Sequence, residues 1–352
     1  MPLLRVVHGV AIGRVRCKCL LRVVARGRVF PDGARDMERK RIFLTGATGT
    51  AGRATLAALQ EAGHEVVCFT RASADLDVEV RVGDAGDPES VRRDGLRGEA
   101  FDAVVSCIAS RTGTPRDAWL VDYGNNSVLL DAAKTSGIAQ FVMLSAICVQ
   151  KPLLEFQHAK LAFEAELIAS GLTYSIVRPT AFFKSLSGQL DRVRAGKPFL
   201  VFGDGELTAC KPISDRDLGA FIAGCVANPA RGNQVLPIGG PGPAITPMDQ
   251  AEALFALLDR PVRLKRVPVA MMDTIRGVMR VLGKVSPKMA DKAELVGIGR
   301  YYATESMLVW DAERDVYDAE ATPETGADTL FAFYETLIAE ERSVALGDHS
   351  VF

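Results

Sequence analysis

Arg41-Ile-Phe-Leu-Thr-Gly-Ala-Thr-Gly-Thr-Ala-Gly52 is the stretch that decides the fold. Ile42 to Thr45 is an apolar run of strand length, and Thr50 to Glu61 reads as a helix that stops at Ala62-Gly63, so three glycines sit on the turn from a buried strand into a helix. At this Gly-x-x-Gly-x-x-Gly spacing, Gly46 permits the tight turn, Gly49 lets backbone N–H groups approach a pyrophosphate, and Gly52 lets the helix pack close to the strand. The pattern argues for a dinucleotide. Thr48 and Thr50 share the loop and join the three glycines as candidate ligands.

Beyond the loop, strands alternate with helices as in a parallel sheet covered on both faces. Candidate strands are Glu65 to Thr70, Val78 to Val82, Ala103 to Cys107, Gln140 to Ser145 and Thr173 to Val177; helices are expected at Pro88 to Asp94, Asp117 to Ser136, Phe156 to Ser170 and Asp215 to Asn228. The expected fold is α/β, a doubly wound Rossmann-type parallel sheet with a smaller C-terminal substrate lobe. Residues 37–240 are read as the dinucleotide-binding domain, with a substrate-lobe insertion at about 181–210; residues 241–341 are the C-terminal lobe and 342–352 a tail. Ligands of such sheets bind beyond the carboxyl ends of the strands. Those ends carry Thr45, Arg71, Asp84, Ala109, Ser145 and Pro179.

Composition fits a globular protein: 352 residues, 48% hydrophobic, with 42 Lys and Arg against 43 Asp and Glu. Without a basic stripe, nothing points to nucleic acid. No segment reaches eighteen consecutive apolar residues, the run a spanning helix needs. Seven cysteines, an odd number partly within strand-like runs, read as reduced thiols; Cys17-x-Cys19 has no histidine at metal-ligand spacing, so no metal is expected. Residues 1–36 hold eight Lys or Arg, the acids Asp32 and Asp36, and no Ser or Thr. That matches only part of a transit-peptide pattern. A start misassigned upstream of Met37 is the favoured reading, and a plastid-targeting segment the alternative.

Cofactor choice is legible at the end of the second strand. Enzymes selective for NAD usually place an acid there for the ribose 2′-hydroxyl, whereas this chain has Phe69-Thr70-Arg71. A guanidinium at that point suits a 2′-phosphate, so NADP(H) is expected. Asp84 stands where it could meet the adenine amino group or cap the helix near Pro88.

The run Ser145-Ala-Ile-Cys-Val-Gln-Lys-Pro-Leu-Leu-Glu-Phe156-Gln-His-Ala-Lys160 resembles the short-chain dehydrogenase/reductase superfamily, in which a Ser follows the fifth strand and a Tyr-x-x-x-Lys helix comes next. Lys160 is in place, but Phe156 holds the tyrosine position. The resemblance implies that Lys160 and Ser145 are catalytic, with Lys160 also holding the nicotinamide ribose and Pro179 turning the chain under the nicotinamide. Phe156 has no proton to give to a carbonyl oxygen, which argues against ordinary ketone chemistry. His158, two residues on, points about 200° away around the helix and is read as structural.

Longer strings are similar to the family of NADPH-dependent divinyl chlorophyllide a 8-vinyl-reductases: Leu144–Phe156, Ser175-Ile-Val-Arg-Pro-Thr-Ala-Phe-Phe-Lys-Ser-Leu-Ser187, Gly203–Ser214 and Ile298-Gly-Arg-Tyr-Tyr-Ala-Thr-Glu-Ser306. The resemblance runs from about Arg41 to Leu337. It implies NADPH as cofactor and a tetrapyrrole, divinyl chlorophyllide a, as substrate. No obligate protein partner and a cytoplasmic location are expected, with peripheral contact to photosynthetic membranes left open. Reduction of a conjugated vinyl group makes no alkoxide, so the missing tyrosine becomes reasonable; water, Ser145, Lys160 and Cys148 are the candidate proton sources. A non-catalytic NmrA-like sensor, or a related reductase of quinones or phenylpropanoids, stays open as an alternative.

In the substrate lobe, Phe156, Phe182 and Phe183, with Phe199 and Phe202, are read as an apolar wall for the pigment, and Lys184 or Arg192 as partners for its propionate. Core packing is the alternative. Thr246 is a plausible N-cap. Val267 to Leu282 reads as a methionine-rich amphipathic helix; core burial is favoured, over closing a pigment pocket or touching a membrane surface. A last helix is expected at Gly326 to Glu341.

Overall fold

A computed structural model describes residues 39–344. The basic extension with Cys17 and Cys19, and tail residues 345–352, lie outside the described residues.

Seven strands make one sheet: β1 Arg41–Thr45, β2 Glu65–Thr70, β3 Glu79–Val82, β4 Ala103–Ser106, β5 Gln140–Leu144, β6 Thr173–Pro179 and, after β7 Phe199–Phe202, β8 Gln234–Ile238. Their order is β3-β2-β1-β4-β5-β6-β8, every pairing parallel. It is the doubly wound arrangement expected from the sequence. The order reverses between β1 and β4, and this opens a crevice beyond their carboxyl ends.

The alternation of side chains along β1 sends Ile42 and Leu44 to one face and Phe43 to the other. The first face packs on α1 Thr50–Glu61 through Leu56 and Leu59, and on helix Asp215–Ala227 through Leu218 and Ile222. Phe43 meets Leu129 and Leu130 of α2 Asn126–Thr135, and Phe163 and Leu167 of α3 Glu155–Ala169. Asp215–Ala227 is α4. Each fully buried side chain of this kind contributes roughly 1.5–3 kcal/mol. Helices α1 and α4 nearly touch, since a Cβ on Gly219 would fall 2.5 Å from the Ala54 backbone.

Two helices are wound differently from expectation. The long helix read from Asp117 starts as Pro115–Ala118, widens into a π-helical segment Trp119–Asn125, and only then becomes α2. The one read from Pro88 widens likewise at Val91–Leu96.

The second lobe gathers β7, paired in parallel with β9 Leu264–Val267, around α5 Pro247–Leu257 and α8 Leu330–Ala339. Between them run α6 Val269–Gly283 and α7 Pro287–Thr304, then the hairpin of β10 Val309–Asp311 and β11 Val316–Asp318. Thr246 caps α5, exchanging hydrogen bonds with Asp249. The favoured core burial of the methionine-rich helix is overturned: α6 buries no residue fully, and Met271, Ile275, Val278 and Leu282 stay exposed. Phe183 also needs correction, because it is 3% exposed within the lobe core, 5.6 Å from the Phe333 ring. It packs the lobe instead of walling a pocket. Phe199 is likewise core, and Arg192 is held by the Pro198 carbonyl.

Candidate active site

The glycine loop is built by backbone proximity. Gly46 has φ +79°, and a Cβ there would lie 2.5 Å from the Cys107 carbonyl carbon, at the start of the loop after β4. A Cβ on Gly52 would lie 2.0 Å from the Gly46 oxygen. Gly49, extended, stands at the N-cap of α1, whose first turn carries neither a side-chain cap nor an acid. The leading N–H groups of α1 therefore face a cradle suited to a phosphate diester.

The cleft above this loop is lined by Thr45, Gly46, Thr48 and Gly49 from the first crossover, Thr70 and Arg71 at the end of β2, Gly83 and Ala85 after β3, and Ala109 and Arg111 after β4. Arg71 is exposed there. Arg111 is a cleft cation the sequence reading did not single out. Asp84 is exposed, and its Oδ1 accepts from the Gly86 N–H at 2.8 Å, while the cap of the following helix is Asp87. The capping alternative for Asp84 is thereby corrected. Lys184 donates to Thr50 Oγ1 at 3.1 Å, which sets its ammonium at the glycine loop rather than among aromatic rings. If Arg71 binds a 2′-phosphate, Arg71→Glu should raise the NADPH dissociation constant by roughly a hundredfold while changing that for NADH little. Titrations of both cofactors check this, and equal losses for both would contradict it.

Behind the cleft lies a buried polar network. Lys160 Nζ stands 2.9 Å from Oδ1 of Asp122, whose side chain is 0% exposed. The π-helical segment places Asp122, and Asp122 Oδ1 also accepts from the Ser110 N–H. Ser145 Oγ donates to Glu164, and Arg178 grips the same carboxylate. Phe156, Lys160 and Glu164 recur every four residues along α3 and so share a face. That spacing could have revealed Glu164. Asp122, 38 positions before Lys160, carried no comparable signal.

Phe156 is half-buried beside Gly113, in a cluster with Cys148, Leu154, Ile298 and Tyr301. His158 is exposed. Phe182 is partly buried against the main sheet, and Pro179 closes β6 in register with Ile238. Cys68, Cys107, Cys148, Cys210 and Cys225 are free thiols, and burial pushes Cys107 and Cys210 up to about 12.

Residues 46–229 match the NAD(P)H-binding family. The chain is similar to chloroplastic divinyl chlorophyllide a 8-vinyl-reductases of Oryza sativa subsp. indica, 47% identical with 88% of this chain and 82% of the relative covered, and of Cucumis sativus, 52% identical with 81% and 67% covered. Its fold resembles an NADPH-dependent quinone oxidoreductase of Escherichia coli solved with NADPH, TM-score 0.60 at 17% identity, covering 84% of this chain and 99% of that one. Parallel sheet, glycine cradle and buried lysine together define a Rossmann-type, NAD(P)H-binding oxidoreductase. Within that class, the chain belongs to the divinyl chlorophyllide a 8-vinyl-reductase family.

Proposed function

We propose that the protein reduces the 8-vinyl group of divinyl chlorophyllide a to an ethyl group, using NADPH. The observation that carries this reading is a complete NAD(P)H cradle beside Lys160 with phenylalanine where a carbonyl-directed acid would stand. The cofactor supplies a hydride. Gly46, Gly49, Gly52, Thr48 and Thr50 would hold its pyrophosphate with Lys184 near, Arg71 its 2′-phosphate, and Lys160 its nicotinamide ribose. Ala109 and Pro179 would border the adenosine and nicotinamide ends, and Phe156 and Phe182 would offer apolar surface to the macrocycle. A vinyl carbon taking hydride leaves charge that spreads into the conjugated ring, so no oxyanion needs a donor. Incubation with NADPH and divinyl chlorophyllide should shift the Soret band to the blue as a vinyl group leaves conjugation. An unmoved band in protein that binds NADPH rejects the reading.

The pigment's chemistry also fits the exposed stripe of α6. Met271, Ile275, Val278 and Leu282 recur at helical spacing, with Arg280 on the opposite side. This apolar face would rest on a membrane surface, which would also take up a hydrophobic pigment. Met271→Glu with Val278→Glu should abolish co-sedimentation with phosphatidylglycerol vesicles and leave NADPH binding unchanged; parent protein that stays in the supernatant refutes the contact.

A further inference from the structure

The proton that completes vinyl reduction has no evident donor among the residues the family pattern supplies. The Ser145 hydroxyl already donates to Glu164, the Lys160 ammonium is held by a buried carboxylate, His158 is on the outer side of α3, and burial raises the Cys148 thiol. Phe156 has no hydroxyl.

Helix α7 brings two tyrosines to this point. A Cβ on Gly113 would lie 2.9 Å from Ile298 of α7 and 3.6 Å from the Phe156 ring, so α7, the start of α3 and the loop after β4 converge. Tyr301 is buried, and its hydroxyl donates to the carbonyls of Cys148 at 2.9 Å and Lys151 at 3.1 Å. It anchors α7. Tyr302, one turn on from Ile298 and so on the same face of α7, stands perpendicular to Tyr301, ring centroids 5.8 Å apart, and differs in kind: its residue surface is 40% exposed, against 3% for Tyr301.

Resting on the vinyl-reductase reading, we infer that Tyr302 delivers the substrate proton, in place of the tyrosine that Phe156 replaces. When one vinyl carbon accepts hydride from NADPH, the π pair moves to the other carbon and into the macrocycle. The Tyr302 O–H bond then breaks as a new C–H bond forms there, and the phenolate recovers a proton from water. The net change is vinyl plus NADPH plus H⁺ to ethyl plus NADP⁺. Desolvation at this site raises the Tyr302 pKa, so the donor stays loaded across the neutral range.

The test compares Tyr302→Phe with parent protein in kcat, in pigment affinity by fluorescence quenching, and in NADPH affinity. Tyr302→Phe should lower kcat by roughly a hundredfold or more and leave both affinities within about twofold. Tyr302→His should regain activity as pH falls through the imidazole range, a rescue that a packing role would not produce. A Tyr302→Phe kcat within threefold of the parent overturns the assignment alone. Parent protein that binds NADPH but no pigment overturns it together with the proposed function.

Discussion

Gly52→Ala should abolish measurable NADPH binding and lower the melting temperature, although it adds only one methyl group. The added Cβ would stand 2.0 Å from the Gly46 oxygen, 2.7 Å from the Gly46 carbonyl carbon and 3.0 Å from the Ala47 Cα. All three are backbone atoms, so no rotamer change relieves the clash. Gly46 cannot retreat either, because it lies so close to the next strand's end that a Cβ on it would fall 2.5 Å from the Cys107 backbone across the β1–β4 reversal. Helix α1 must therefore lift away from the loop. Its other side is fixed by the close approach of Gly219 on α4, so the shift strains that contact too. Overpacking of this kind costs about 1–3 kcal/mol in stability. Binding should suffer more, since the leading N–H groups of α1 move with the helix. Gly49→Ala is the internal control: its Cβ would meet the Gly46 oxygen at 3.4 Å, ordinary contact, and its backbone is extended. It should melt near the parent temperature. Fluorescence titration with NADPH and thermal melts read both variants; a Gly52→Ala protein that binds like the parent would mean the loop does not hold the pyrophosphate.

Legibility of the chain followed the range of the interactions involved. The glycine loop and the strands were readable because their signals are local: apolar runs of strand length, helices ended by glycine, and a fixed spacing at one crossover. Gly63, Gly137 and Gly171, read as helix stops, all take positive φ. What failed was decided by distant partners. Phe183 and Phe182 adjoin in sequence, yet one packs against Phe333 in the lobe and the other against the main sheet. Lys184 follows them and reaches back to Thr50, 134 positions away. No periodicity announces that contact. Helix α7 went unread although its Ile298–Ser306 string was singled out, because its buried positions, including Gly297 and Gly299, give it little apolar contrast. α6 failed in the opposite sense: a strong apolar stripe reads as core, and only the fold shows that nothing among the described residues covers it.

Asp122→Asn and Lys160→Met should each destabilise the protein by about 3–5 kcal/mol, and their combination should cost far less than the sum. The pair is 2.9 Å apart with side chains 0% and 7% exposed, and one oxygen of Asp122 has no hydrogen-bond partner. Removing the carboxylate charge leaves a buried ammonium uncompensated, whereas removing the ammonium leaves a buried carboxylate without its cation, the Ser110 N–H still donating to it. Removing both leaves a neutral amide and a thioether, which the site can bury with little penalty. Asn is isosteric, so Asp122→Asn keeps that N–H bond and isolates the charge. Chemical denaturation of the four proteins yields the coupling energy directly, and additive losses would show that the pair does not act as a unit. Activity should follow a different rule from stability. The double variant should fold but lacks the ammonium proposed to hold the nicotinamide ribose, so it should stay as impaired in NADPH turnover as Lys160→Met alone. A single helical lysine would serve both purposes because the π-helical segment delivers Asp122 to it: the wider turn puts a carboxylate inside the protein. Burial then fixes the ammonium in one place before any ligand arrives, which is the preorganisation that hydride transfer to a large flat substrate requires.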